Sequence, residues 1–165
     1  MPVVQIKHIA VSKNAIDMEV ACALPYLHVS ADAAKRLLEQ LPNLAAHVCI
    51  NEKGDTFGDE IVGTETPHLL EHLIIELMGM SENALGAKAP GRGLIGHTSW
   101  ADELANTRGE GVALMRVKVR YHNDLVALQA CKEACVFIEW AMTGEGMLPS
   151  VAASIERLTE LAARG

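Results

Sequence analysis

The segment VALMRVKVRY, residues 112–121, sets the fold class of this chain. Apolar side chains alternate with basic ones over its second half, which is the period of a β-strand with one buried face and one face in water. A strand of this kind is typical of an antiparallel sheet that carries helices on its dry face. The segment therefore predicts a layered α+β domain.

Two helices are predicted on the carboxyl side of this strand. Asn123 is a typical N-cap residue, and a helical pattern follows it from Asp124 to about Met142. The sequence TGEG, residues 143–146, ends that helix, and a final amphipathic helix is expected over Val151–Ala163. Its spare apolar stripe predicts packing against the domain's own sheet or against a second copy in a homo-oligomer.

A hairpin and a helix are predicted at the start of the chain. Residues 3–11 and 17–24 are apolar and β-branched, and a turn-forming Ser-Lys-Asn cluster separates them. Ser30 then caps a helix that reaches Leu41, and Pro42 ends it.

The middle of the chain predicts two strands, a helix and a long loop. The strands are expected at residues 47–51 and 56–62, and the helix at residues 66–78, with Thr66 as its N-cap. Residues 81–108 contain glycines and no periodic pattern, which predicts a loop. The resulting order is ββαββαβαα. It describes one domain over residues 1–165, with one mainly antiparallel sheet and about four helices.

Composition excludes several classes of function. Lys and Arg number 14 against 21 Asp and Glu, for a net charge of −7 with no basic block, which argues against a nucleic-acid partner. The sequence has neither a secretory leader nor an apolar run of membrane-spanning length, so we expect a cytoplasmic protein without a membrane partner. Its four cysteines are too scattered for a disulfide framework and are expected to be reduced.

The motif that carries chemistry is PHLLEHL, residues 67–73. It places His-x-x-Glu-His on a predicted helix, so His68 and His72 project one turn apart and can bind one Zn²⁺ ion. This is the inverted zinc-peptidase order, in which Glu71 takes a proton from the water that the metal activates. The helix is otherwise apolar nearly all round, so unbound imidazoles there would be costly. The alternative is two core histidines bonded to backbone carbonyls, with Glu71 at the surface.

A third metal ligand must come from elsewhere, because catalytic zinc usually has three protein ligands. Glu133 is the first choice, since it lies in an apolar stripe of its helix where a bare carboxylate is expensive. The alternative for Glu133 is a salt bridge with Lys132 or Arg116. Glu76, one helical turn beyond His72, is the main competing candidate for third ligand; alternatively, it orients a histidine without binding the metal itself. Cys131, Cys135 and His97 are the weaker candidates for the third ligand.

The segment GHTSW, residues 96–100, brings polar and aromatic side chains together within the predicted loop. We expect His97, Ser99 and Trp100 to line a substrate cleft. No Ser-His-Asp relay can be assigned from this segment, because space rather than sequence fixes the members of a triad.

Three stretches together resemble the amino-terminal domain of cyanophycin synthetase: TPHLLEHLIIEL (66–77), GHTSW (96–100) and VKVRY continuing into VALQA (117–130). The resemblance implies a free-standing version of that domain, without the ATP-dependent ligase modules. In some synthetases the domain resembles a metallopeptidase and cuts cyanophycin, a polymer of β-aspartyl-arginine, into primers. This chain has His68, Glu71 and His72, so the catalytic version is the closer match.

The inverted motif is also similar to those of pitrilysin-like peptidases and S-ribosylhomocysteine lyase, whose third ligands are a glutamate and a cysteine. We therefore expect a zinc-dependent, metallopeptidase-like hydrolase acting on a peptide or a cyanophycin-like polymer. One alternative is a non-catalytic module that binds cyanophycin or an arginine-rich ligand for a partner enzyme. The other is a small-molecule lyase whose metal is held by Cys131 or Cys135.

Overall fold

A computed structural model of the chain describes residues 1–101 and 111–165. The strands in this part are β1 (Val4–Val11), β2 (Ala15–Ala23), β3 (Val48–Asn51), β4 (Gly54–Thr56), β5 (Gly96–Trp100) and β6 (Val112–Arg120). The α-helices are α1 (Ala31–Gln40), α2 (Phe57–Glu60), α3 (Thr66–Ala84), α4 (Asp124–Thr143) and α5 (Val151–Arg164). None of these described helices has the combination of length and hydropathy needed to cross a membrane.

The main sheet has four strands in the order β1-β2-β6-β5, and every neighbouring pair is antiparallel. Its dry face is built from β2 and β6, where Met18 pairs with Val117 and both side chains are fully buried. On the other face Arg116, Lys118 and Arg120 are exposed. The alternating segment, residues 112–121, therefore contains the predicted strand with one buried face and one exposed face. The predicted α+β class is confirmed. The strands β3 and β4 form a separate antiparallel pair.

Helices α3 and α4 pack on the sheet, and the other long helices pack on them. Helix α3 packs on β5, β6 and α4, while α1 packs on α4. Helix α5 packs on α3 and α4 and buries Leu158 completely. The final helix thus covers other helices of this chain, which corrects the expectation that it covers the sheet. The side chains of the N-cap residues Ser30, Asn123 and Ser150 each accept a hydrogen bond from the backbone N–H of the third residue of their helix.

Two predicted strand and loop assignments are wrong. Residues 57–60 form a helical turn instead of a strand, because Thr56 and Asp59 make a reciprocal capping box. Residues 96–100 form β5 instead of a loop, because they pair along their whole length with β6. The part of the predicted loop at residues 102–108 lies outside the described residues.

Helix α3 also begins and ends differently from the prediction. Its N-cap is Glu65, while Thr66 lies inside the helix and its hydroxyl donates a hydrogen bond to the Tyr26 carbonyl at 2.5 Å. The helix continues past Gly79 to Ala84. Gly79 faces Gly91, and a Cβ on Gly79 would lie 3.6 Å from the Gly91 Cα, an ordinary contact. Gly79 therefore marks a close approach of the following chain rather than a helix end.

Candidate metal centre

Helix α3 brings His68 and His72 together one turn apart. Their Nε2 atoms lie 3.2 Å from each other, which is close enough for one metal ion to bind both. The Phe57 ring stacks on His72, with ring centroids 3.9 Å apart, and meets His68 edge-on. These ring contacts restrict the rotation of both imidazoles, because a stacked ring cannot turn without losing its contact.

Cys49 is the third potential ligand, and it comes from β3. Its Sγ atom is 3.6 Å from the His68 Nε2 atom, and the ligand atoms of Cys49, His68 and His72 all lie within 4.8 Å of one another. A tetrahedral zinc ion separates two nitrogen ligands by about 3.3 Å and a nitrogen from a sulfur by about 3.6 Å. In residues 1–101 and 111–165 no other three side chains of these types converge in this way. The donor types, and the distances of 3.2 Å between the histidines and 3.6 Å between Cys49 and His68, are compatible with a tetrahedral zinc ion.

The protonation states of these ligands are set by their surroundings. Burial, with His68 and His47 nearby, lowers the pKa of His72 to about 3, so the imidazole is neutral and has a free lone pair. Burial and the neighbouring Glu60 raise the pKa of the Cys49 thiol to about 11. That thiol donates a weak hydrogen bond to the Glu60 carboxylate at 3.4 Å. A metal ion would have to displace this proton, since the thiolate is the ligand.

A chain of partly buried hydrogen bonds lies behind His72. Its Nδ1 atom lies 3.1 Å from the Nδ1 atom of His47, and the Nε2 atom of His47 lies 2.6 Å from the Glu76 carboxylate. Asn43 donates to the same carboxylate at 3.0 Å. If His72 donates to His47 and His47 donates to Glu76, every ring proton has an acceptor and the His72 Nε2 atom stays free to bind metal.

His68 has a comparable partner on its far side, where its Nδ1 atom lies 2.9 Å from the Thr64 hydroxyl. A proton on that Nδ1 atom leaves the Nε2 atom free. Both histidines are therefore oriented so that the same type of nitrogen faces Cys49. Glu76 bonds to His47 and does not reach the converging ligand atoms, which is the arrangement expected for the second of its two predicted roles.

Glu71 lies beside the ligand atoms and is held by β5. Its Oε1 atom is 3.9 Å from the His72 Nε2 atom, and the Thr98 hydroxyl donates to its Oε2 atom at 2.5 Å. Burial raises the pKa of the Glu71 carboxyl, against the opposing effect of the Thr98 hydrogen bond. Gly96 makes room for this carboxylate, because a Cβ there would lie 2.5 Å from the Glu71 Cγ. Glu71 is thus buried at the centre and not at the surface.

The structure does not bring Glu133 to the histidine pair, which corrects its assignment as third ligand. Arg157 donates to both oxygens of the Glu133 carboxylate, at 2.6 and 2.8 Å. Ser154 and Gln129 each donate to it at 2.7 Å. Arg157 is the main reason that the pKa of Glu133 falls to about 2. The buried carboxylate did need a partner, but that partner is a cation on α5, and neither Lys132 nor Arg116.

The other predicted ligands also lie elsewhere. Cys131 is buried with its Sγ atom 3.6 Å from the Met18 Sδ atom, and Cys135 packs against the core from the same helix. His97 is exposed on β5 and borders the groove that contains the candidate metal centre. Ser99 and Trp100 border a smaller recess next to His68 and Glu60.

A groove of about 2070 Å³ contains the candidate metal centre. Strand β3 with the turn after it lines the groove, and so do residues of the segment from Pro90 to Thr98. The groove continues along α3 to the first turns of α5, where Val151, Ile155 and Glu156 line it.

Sequence reasoning missed Cys49 and His47. Both lie in or next to a short strand whose alternation exposes Val48 by 82% and Ile50 by 85% and turns Cys49 inward. The available signal was the His-x-Cys spacing at residues 47–49, ahead of the His-x-x-Glu-His motif. That spacing indicates metal binding only when a fold brings the two segments together.

No known family model matches this chain, and no curated protein shows detectable sequence similarity to it. The resemblance to the amino-terminal domain of cyanophycin synthetase therefore stays a prediction from the residue patterns.

Proposed function

We propose that this chain is a zinc-dependent hydrolase that cleaves amide bonds in a peptide or peptide-like polymer. The observation that carries the proposal is the spacing of Cys49, His68 and His72 with the Glu71 carboxylate buried next to them. A zinc ion held by these three side chains would supply a Lewis acid that acidifies water and polarises a carbonyl.

Glu71 is positioned to act as the general base. The Thr98 hydroxyl occupies one carboxylate oxygen, while the other oxygen faces the ligand atoms of the histidines. There it can accept a proton from the attacking water and return it to the leaving amine. Burial makes this carboxylate more basic than an exposed one, which favours proton transfer at neutral pH.

The groove supports a polymeric substrate that carries positive charge. Its volume of about 2070 Å³ exceeds the range of about 300–1,000 Å³ that is usual for small-molecule sites. Its rim contains the carboxylates of Glu52, Glu60 and Glu156 but a single described lysine, Lys53. Guanidinium groups would complement this rim, so cyanophycin, which the resemblance implies, is the candidate substrate.

The identity of the third ligand favours a second candidate function. With a metal bound, Cys49 would supply a thiolate where pitrilysin-like peptidases have a glutamate, and a cysteine ligand is typical of S-ribosylhomocysteine lyase. A small-molecule lyase is therefore the alternative. The extended groove favours the hydrolase, because a compact substrate would leave most of it unfilled.

A hydrolysis assay on the zinc-loaded protein tests the proposal. Cyanophycin granules, and separately an arginine-rich polypeptide, are incubated with the protein, and new amino groups are counted by fluorescent labelling and mass spectrometry. Glu71→Gln should keep its zinc and lose at least about 100-fold in turnover, as expected for a general base. Glu39→Gln changes an exposed glutamate on α1 and serves as the matched control.

Two results would contradict the hydrolase. Equal turnover by Glu71→Gln would remove Glu71 from the role of base. Less than about a tenth of an equivalent of zinc after supplementation would instead favour a non-catalytic binding module, because the three ligands would then hold no metal.

A further inference from the structure

One wall of the groove contains the edge of the main sheet. Strand β5 pairs with β6 on one side, and no described strand pairs with its other side. Gly96, His97 and Thr98 of this strand line the groove. The open edge of β5 therefore borders the same space as Glu71 and the metal ligands.

The register shows which backbone groups of β5 are available. Arg120 donates its N–H to the Ile95 carbonyl at 2.8 Å, and Ala101 donates to the Leu114 carbonyl at 3.1 Å. Hydrogen-bonded pairs alternate along an antiparallel ladder, so the intervening odd-numbered residues also bond to β6. The N–H and C=O groups of Gly96 and Thr98 then point away from β6. Among the described residues no other backbone group bonds to them.

Within the residues that the structure describes, this edge lacks the usual protection against strand pairing. At the opposite edge of the sheet, β1 has a register shift between Ile6 and His8, and Lys7 lies at that shift. Bulges and lysines are common devices that block edge pairing. The sequence of β5, GHTSW, has no proline, lysine or acidic residue, and its pairing with β6 shows no shift.

Gly96 and Thr98 also determine the position of Glu71, the proposed general base. Thr98 donates to the Glu71 carboxylate, and Gly96 leaves the space that this side chain fills. A chain paired with β5 would lie about 4.8 Å from it, the normal spacing of neighbouring strands. Such a chain would pass Glu71, whose carboxylate lies beside the ligand atoms of the candidate metal centre.

We propose that the substrate main chain binds as an added strand on the open edge of β5, pairing with the backbone of Gly96 and Thr98. This inference rests on the proposed function and specifies the substrate as an extended polyamide with alternate free N–H and C=O groups. Strand β3 is the weaker partner, because its register is irregular and the Cys49 carbonyl already accepts from the Asn51 side chain at 2.7 Å.

Backbone amide exchange measured by NMR on the zinc-loaded protein tests the inference. The probes are acetyl-tetraalanine hydroxamate, which joins a metal-binding group to a peptide, and acetohydroxamate, which has the metal-binding group alone. The peptide probe should slow exchange of the Thr98 amide at least about tenfold, whereas acetohydroxamate should not. The amides of His97 and Ser99 already bond to β6 and serve as internal controls. Unchanged Thr98 exchange with the peptide probe bound would overturn the inference.

N-methylation of the peptide probe gives an independent measurement. Methylating an amide that pairs with β5 should weaken binding about tenfold, and methylating the next amide should have little effect, since strand pairing repeats every two residues. Equal effects at all amides, or none, would contradict strand addition.

A further experiment distinguishes failure of this inference from failure of the proposed metal-dependent function. If the protein binds neither zinc nor acetohydroxamate, the proposed function fails, and the metal-free protein is measured with millimolar acetyl-tetraalanine amide. Protection of Thr98 would then still support the strand edge, and its absence would overturn it. Protection that appears without any probe and rises with protein concentration would assign the edge to a second copy of the chain and also overturn it.

Discussion

The Cys49 Sγ atom lies 3.6 Å from the Nε2 atom of His68, although Cys49 is on β3 and His68 is in the first turn of α3. The pair of strands β3 and β4 is separate from the main sheet. A metal ion shared by these two side chains would therefore join the small strand pair to the helix layer. It would also fix one wall of the groove.

Cys49→Ala should weaken zinc binding by more than about 100-fold, because it removes one of three protein ligands. The affinity is measured by competition with a chromophoric chelator. Cys135→Ala is the matched control, since Cys135 is a half-buried thiol on α4 outside the ligand group. Unchanged affinity in Cys49→Ala would show that the thiol is not a ligand.

Replacing the carboxylate behind the histidines should weaken zinc binding more moderately. Glu76→Gln keeps a hydrogen-bond acceptor for His47 but removes the negative charge, and a loss of about tenfold in zinc affinity is expected. Glu82→Gln is the control, because Glu82 lies on the same helix but pairs with His122 at 2.5 Å. Equal affinities of both variants would mean that the Glu76 charge does not act on His72.

The parts of the fold that could be predicted were those with a local cause. The alternation of residues 112–121 and the caps at Ser30 and Asn123 each depend on neighbours in sequence. Strand β5 has no such signal, because GHTSW contains one large apolar residue and its structure depends on pairing with β6. Tertiary pairing of this kind overrides weak local propensity.

The same distinction applies to the candidate site. His68, Glu71 and His72 share one helix, so their spacing alone predicts their proximity. Cys49 meets them through the placement of β3, which no periodicity in the sequence specifies. Glu133 illustrates the converse error: its burial indicated that a partner exists, but could not distinguish a metal ion from the Arg157 guanidinium.

Gly96→Ala should abolish turnover without removing the metal. The new Cβ would lie 2.5 Å from the Glu71 Cγ and 2.7 Å from its Oε1 atom, so the carboxylate must move. We expect unchanged zinc content, a loss of hydrolysis of at least about 100-fold and a destabilisation of about 1–3 kcal/mol from overpacking. Zinc content is measured by elemental analysis and stability by urea denaturation.

The control for that substitution is Gly79→Ala, which adds the same methyl group to α3. Its Cβ would make ordinary contacts with Gly91, and alanine favours a helix interior over glycine by about 0.5–1 kcal/mol. This variant should be equally or more stable and keep its activity. Full activity in Gly96→Ala would show that Glu71 does not need the position it has beside Thr98.

Glu133→Gln should lower stability and leave zinc binding unchanged. The folded pKa of Glu133, about 2, lies below the ordinary value of about 4.3 for an unfolded glutamate. Its ion pair with Arg157 therefore stabilises the fold fully above about pH 4.5, and this contribution disappears as pH falls toward 2. Because Arg157 is half exposed, solvent screening weakens this ion pair. We expect Glu133→Gln to lower the free energy of unfolding by about 2 kcal/mol at neutral pH.

Urea denaturation of wild type and Glu133→Gln at pH 7, 4 and 2.5 measures this contribution. The two proteins should differ most at pH 7 and least at pH 2.5, because the contribution of the ion pair is lost progressively as the pH falls from about 4.5 toward the folded pKa of Glu133. Glu156→Gln, at a neighbouring exposed position of α5, is the control. Its difference in stability from wild type should not depend on pH in this way. Loss of zinc in Glu133→Gln with stability retained would return Glu133 to the ligand set, since a carboxylate that only pairs with Arg157 affects folding and not metal binding.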